Sequence, residues 1–103
     1  MTLQELKTRC EEQGFQYAYG QFKTPVEPPH LVAYGRSTEN FMADNKVYKK
    51  QIPIQLDYTY IEKNLEDEEK IENNILGDTP WNKTEEVYLS EEEIWQVSYF
   101  FDI

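Results

Sequence analysis

Between Thr2 and Gly14 the apolar positions Leu3, Leu6 and Cys10 recur at helical spacing and leave one narrow stripe among charged residues. Thr2 followed by Glu5 predicts a capping box, in which hydroxyl and carboxylate satisfy the first free amides of a helix. Gly14 is placed to end that helix in a left-handed turn. The period then changes. Phe15, Tyr17 and Tyr19 alternate with Gln16 and Ala18, and Phe22 follows after Gly20, which predicts a strand with one buried face. Thr24 to Pro29 holds Pro25, Pro28 and Pro29 and reads as an extended loop short of amide donors. His30 to Arg36 is a second strand around Leu31, Val32, Ala33 and Tyr34.

Ser37 to Lys46 is polar and turn-rich, closing on Asp44-Asn45. From Val47 to Tyr60 the pattern is strand-like again, with Tyr48, Ile52, Ile54, Leu56, Tyr58 and Tyr60 in one parity. Pro53 falls on the other parity and lacks a ladder donor, so an edge position or a bulge is expected there. Glu62 to Leu76 returns to helical spacing, with Leu65, Ile71 and Ile75 or Leu76 expected inward and Gly77 as its cap. Asp78 to Trp81 is a turn. Thr84–Leu89 and Ile94–Phe101 are two strands joined by the acidic turn Ser90–Glu93, a hairpin.

The order is therefore α-β-β-β-α-β-β, an α+β chain forming one domain over 1–103. Two helices, each apolar on one side only, predict a single mixed or antiparallel sheet with both helices on one face. The other face is then expected to carry the surplus aromatics.

Composition sharpens this picture. Of 103 residues 39% are hydrophobic and 15% aromatic, too much apolar matter for a disordered chain. The charge is lopsided. Residues 1–61 carry seven acids and seven bases, so the net −10 falls entirely in residues 62–103, where thirteen acids face Lys63, Lys70 and Lys83. A solvated face is the plain explanation for such acids; a surface that repels nucleic acid, mimics it, or docks on a basic partner is the sharper one. A phosphate-binding groove needs the opposite sign, so direct DNA binding is not expected. No apolar run approaches the ~20 residues of a membrane span, and the polar start Met1–Glu12 does not read as a signal peptide.

Chemistry finds little to use. Cys10 and His30 are the only residues of their kinds and fall in different elements, so neither a nucleophile–base pair nor a zinc ligand set is expected. Gly14, Gly20, Gly35 and Gly77 are scattered and make no phosphate loop. The reading is a protein that is not an enzyme, with no catalytic residues, no metal and no cofactor. The eight tyrosines are more informative, because a small sheet with two helices has little room to bury fifteen aromatics. Some are expected at a partner surface, and the long strand Val47–Tyr60 is expected as an edge available for pairing between subunits.

The stretch Asn40-Phe41-Met42-Ala43-Asp44-Asn45-Lys46-Val47-Tyr48-Lys49-Lys50, set before a long strand, an acidic helix and the closing strand Trp95-Gln96-Val97-Ser98-Tyr99, resembles small head–tail proteins of tailed phages of Gram-positive hosts. The layout from Leu31 to Phe101 is similar to the tail terminator, or tail-completion, family. That resemblance implies a structural virion protein. It forms a homo-oligomeric ring, a hexamer in the family, that caps the tail tube, stops its elongation and offers the surface for head–tail joining. The implied partners are further copies of itself, the tail tube protein and the head–tail connector proteins. DNA passes through the ring without specific binding, and no membrane is involved. The implied location is the neck of the virion, after assembly in the host cytoplasm.

On this reading Phe41, Asp44, Lys46, Tyr48, Lys49 and Lys50 are candidates for the subunit or partner interface. Glu62, Glu66, Asp67, Glu68, Glu69, Glu91, Glu92 and Glu93 are candidates for an acidic channel lining or rim, where like charge would keep passing DNA from sticking. Two alternatives stand beside it: another connector or adaptor ring of the same neck, and an acidic DNA mimic that inhibits a nucleic-acid enzyme of the host.

Overall fold

The computed structural model describes residues 1–36 and 52–103. Helix α1 spans Leu3–Glu12 and opens on the expected capping box: Thr2 Oγ1 accepts from the Glu5 amide at 3.1 Å while Glu5 Oε1 accepts from the Thr2 amide at 3.2 Å. It ends where Gly14 takes φ +85°, a conformation a side chain would resist, and the Gly14 and Phe15 amides return to the carbonyls of Glu11 and Cys10.

The sheet is mixed. Strand β1 (Gln16–Tyr19) runs parallel to β2 (His30–Gly35), which pairs antiparallel with β3 (Pro53–Tyr60), itself antiparallel to β6 (Ile94–Asp102). Along the outer side of β6 lie two short strands, β4 (Trp81–Lys83) and β5 (Val87–Leu89). The spatial order is β1-β2-β3-β6-β4, with β5 also on β6. This is the α+β class the pattern predicts, with one strand more: β4 occupies a stretch whose nearby Pro80 reads as turn.

Between β4 and β5 the register against β6 slips by one residue, from Lys83 opposite Tyr99 to Val87 opposite Gln96. Thr84 holds the junction: its amide donates to the Ser98 carbonyl, and its hydroxyl accepts from the Ser98 amide. The outer strand is thus one bulged strand in two pieces.

Helix α2 (Leu65–Glu69) starts at Asn64, whose side chain accepts from the Glu66 and Asp67 amides, and continues as a π-helical stretch, Lys70–Ile75. Gly77 follows for a reason other than a left-handed φ. A β-carbon there would stand 2.1 Å from the Asn73 carbonyl oxygen, so only a residue without one fits.

Both helices cover the same face of the sheet. The core joins Leu6 and Cys10 of α1, Ile71 and Ile75 of the π-helical stretch, Leu31 and Ala33 of β2, Ile54, Leu56, Tyr58 and Tyr60 of β3, and Val97, Tyr99 and Phe101 of β6. Arg9 ties the layers at one end, donating to the Ile75 carbonyl and making two hydrogen bonds to the Asp78 carboxylate at 2.8 and 3.0 Å.

Three expectations need correcting. Pro53 is the first residue of β3, and β3 is central, with β2 on one side and β6 on the other. Proline is tolerated there because a strand's first position can forgo its donor, and residues 53–60 offer no free edge to a second subunit. Leu65 does not face the core: it is 67% exposed, since the helix begins only at that residue and its first turn overhangs the sheet. The aromatics, finally, divide between the faces: Tyr34 and Phe100 lie on the uncovered face as expected, whereas most of the sheet's tyrosines stay on the covered one. Tyr58 and Tyr99 are fully buried under the helices because carboxylates meet their hydroxyls, Asp67 at 3.3 Å and Glu72 at 2.8 Å.

Candidate functional site

The acidic residues predicted as one surface divide into two groups. Glu62, Glu66 and Glu69 around α2, and Glu91, Glu92 and Glu93 in the turn before β6, are exposed. Among the described residues none of these six has a cation within salt-bridge distance. Glu68 is different. It is 5% exposed and clamped between Lys63, 2.8 Å from Oε2, and Lys83, 3.2 Å from Oε1. Lys83 reaches on to Glu72 at 2.7 Å, and Lys63 also pairs with Glu86. Asp67 is largely covered, accepting from the Tyr58 hydroxyl and lying 4.0 Å from Lys70.

Glu68 therefore belongs to the packing between α2 and the outer strands, not to a rim. Its charge is spent inside the protein, because a carboxylate taken out of water must be paired. Hydrogen bonds to Glu68 and Glu86 hold the Lys63 ammonium well above its ordinary range. Burial opposes the charge on Lys83, yet its bonds to Glu72 and Glu68 raise it as well. Burial, reinforced by Glu72, pushes the Tyr99 phenol far up, and burial with Glu86 takes Tyr60 to about 12. The lysines are held charged and the phenols neutral, a locked arrangement rather than one poised for proton transfer. Cys10 is buried with its thiol pushed up to about 12 by burial, which suppresses the thiolate.

The uncovered face carries a cluster that sequence reading missed. Asp57, 9% exposed, accepts from the Tyr34 hydroxyl at 3.0 Å, the Gln55 amide at 2.8 Å and the Ser98 hydroxyl at 2.7 Å. Beside it the Arg36 guanidinium stacks over the Phe100 ring, 4.4 Å from its centre. The available signal was an aspartate in mid-strand, a residue type depleted from strands.

The two edges of the sheet differ. The Gly20 amide donates to the Ala33 carbonyl at 2.7 Å, and in a parallel ladder alternate residues point the same way. Tyr17 and Tyr19 of β1 therefore turn their amides and carbonyls outward, where no other backbone group among the described residues meets them. The opposite edge is guarded by its bulge and by Lys83, Glu85 and Glu86.

Phe41, Asp44, Lys46, Tyr48, Lys49 and Lys50 lie outside the described residues. Among the described residues no group of three or more His, Cys, Asp or Glu is arranged to hold a metal ion, and no helix is long and apolar enough to cross a membrane. Comparison of the chain with protein-family models, with curated proteins and with solved structures found no match.

Proposed function

We propose that the chain is a structural subunit of a phage neck, a tail-terminator-like protein that assembles as a ring on the tail tube, stops tube growth and presents the surface to which the head connector attaches. The observation that carries the ring is the sheet with two unlike edges. β1 stands at one side and the bulged β4–β5 strand at the other, so one contact between unlike surfaces can repeat from copy to copy until it closes. The resemblance of Asn40–Lys50 and of the strand–acidic helix–closing strand layout supports the phage assignment. The partners on this reading are further copies in a hexamer, tail tube protein and connector proteins, at the neck of the virion after assembly in the host cytoplasm. The exposed acids Glu62, Glu66, Glu69 and Glu91–Glu93 suit a passage through which DNA moves without being held.

Light scattering of the purified chain at low and high salt, alone and with tail tubes, tests this. A sixfold mass, or a monomer that caps tubes and fixes their length, is the expected result. A ring that ignores tubes but joins connector protein would move the chain to another level of the neck. A strict monomer indifferent to tubes would sink the proposal.

A further inference from the structure

We infer that the cleft between the Pro28–Pro29 loop and the end of β3 is a docking site for a basic protein segment carrying an apolar anchor. The inference goes beyond the ring and does not depend on it. The cleft has a volume of about 360 Å³ and is walled by Pro28 and Pro29, floored by the buried Tyr60 and lipped by Ile61, with Glu62 and Asp67 also in its lining. Tyr60 stacks on Tyr58 at 4.8 Å between ring centres, so the floor is fixed by the core beneath it. Ile61 is 57% exposed, and Leu65, at the start of α2 just beyond, is 67% exposed. Ile61 in the cleft lining and Leu65, the residue after Asn64 of that lining, are two large aliphatic side chains left in water, which marks a surface with something to bury.

Charge selects the occupant. Glu62 and Glu66 flank these aliphatic residues, are exposed, and have no cation within salt-bridge distance among the described residues. The nearby Lys63 is committed to Glu68 and Glu86, and Lys70 lies by Asp67. An apolar cleft lined by the exposed and uncompensated Glu62, with Glu66 close by in sequence, complements a leucine-like or aromatic side chain set between lysines or arginines. Nucleic acid is repelled there, and a second copy of this chain brings the same negative charge.

The probe is a short fluorescent peptide alternating lysine and leucine, titrated into the full chain and read by anisotropy, with a lysine–serine peptide as the charge-only control. Saturable binding of the first and at least about tenfold weaker binding of the second is expected. Replacing Ile61 and Leu65 together by serine should weaken binding about tenfold or more. Glu62→Gln with Glu66→Gln should weaken it several-fold and flatten its salt dependence. Asp102→Asn, an exposed acid opposite Pro53 at the other end of β3 from Tyr60, should leave it within about twofold. Equal binding of the two peptides, no binding, or as large a loss from Asp102→Asn as from the glutamine pair would overturn the inference. Because the acidic pair is solvent-exposed, it keeps the test informative even if the serine variant folds poorly. A chain that caps tubes but ignores the peptide removes the cleft and leaves the ring. A chain that binds the peptide yet stays monomeric and indifferent to tubes does the reverse.

Discussion

The two faces of the sheet solve the same problem, a polar atom on a strand, in different ways. On the helix side the tyrosines carry their hydroxyls across the core to carboxylates on α2 and the π-helical stretch, so that Tyr58 and Tyr99 are both core and tether. On the open side the hydrogen bonds stay within the sheet, three of them converging on Asp57, two from the neighbouring strands and one from Gln55 of its own. The helix side thus makes tertiary structure depend on polar contacts, whereas the open side uses them to pin adjacent strands to one another.

The largest test of this contrast is a core truncation on the covered face. Leu56→Ala, fully buried, should cost about 2–5 kcal/mol, whereas Val32→Ala, half-buried on the open face, should cost about 1 kcal/mol or less. Urea melts read the difference as a shift of midpoint at constant slope. Comparable losses would mean that the open face is covered in solution.

Tyr99→Phe comes next. It removes the donor to Glu72 while leaving Lys83 on that carboxylate, and about 1–2 kcal/mol is expected. Asp57→Ala strips three donors of their acceptor, but Tyr34 and Ser98 are only half-buried and water can replace part of the loss, so about 1 kcal/mol is expected, with Asp57→Asn costing less. Amide exchange sharpens this pair: Asp57→Ala should speed exchange in β2 and β6, and Tyr99→Phe in the π-helical stretch.

The smallest effect at neutral pH belongs to titration. Tyr17, Tyr58, Tyr60 and Tyr99 on the covered face have raised pKa values, burial being the first cause in each, and Lys63 and Lys83 are raised by their carboxylate partners. A raised folded-state value means that the unfolded chain releases its proton first as pH climbs. Stability should be untouched by these groups from pH 7 to about 9 and should fall above about 10. In melts across that range, Tyr99→Phe should soften the alkaline decline.

Much of the covered face was legible in sequence because its period is strict. Ile54, Leu56, Tyr58 and Tyr60 alternate without a break, and Thr2 with Glu5 announces the start of α1 in local chemistry that tertiary packing does not alter. What could not be read depends on contacts distant in the chain. The central place of β3 is set by β6, some forty residues later, and hydrophobic alternation does not report which strand pairs with which. The burial of Glu68 rests on Lys63 and Lys83 closing over it, and in sequence it stands in an acid run that looks uniformly solvated. The cleft was illegible for the same reason: its prolines and its tyrosine meet only once β2 and β3 are aligned.

The one-residue slip along β6 acts as a phase shift in the outer strand. Trp81 and Lys83 lie on the helix side, opposite Phe101 and Tyr99; with unbroken alternation Val87 would join them and Tyr88 would point away. The slip inverts the order, setting Tyr88 opposite Trp95, with ring centres 5.0 Å apart, and sending Val87 to the other side. Deleting one residue from Thr84–Glu86 would therefore not merely shorten a strand. It would bring the two halves into one unbroken alternation, with Val87 still opposite Gln96 and Tyr88 still opposite Trp95, and so take away the bulge that guards this edge without turning over a single side chain.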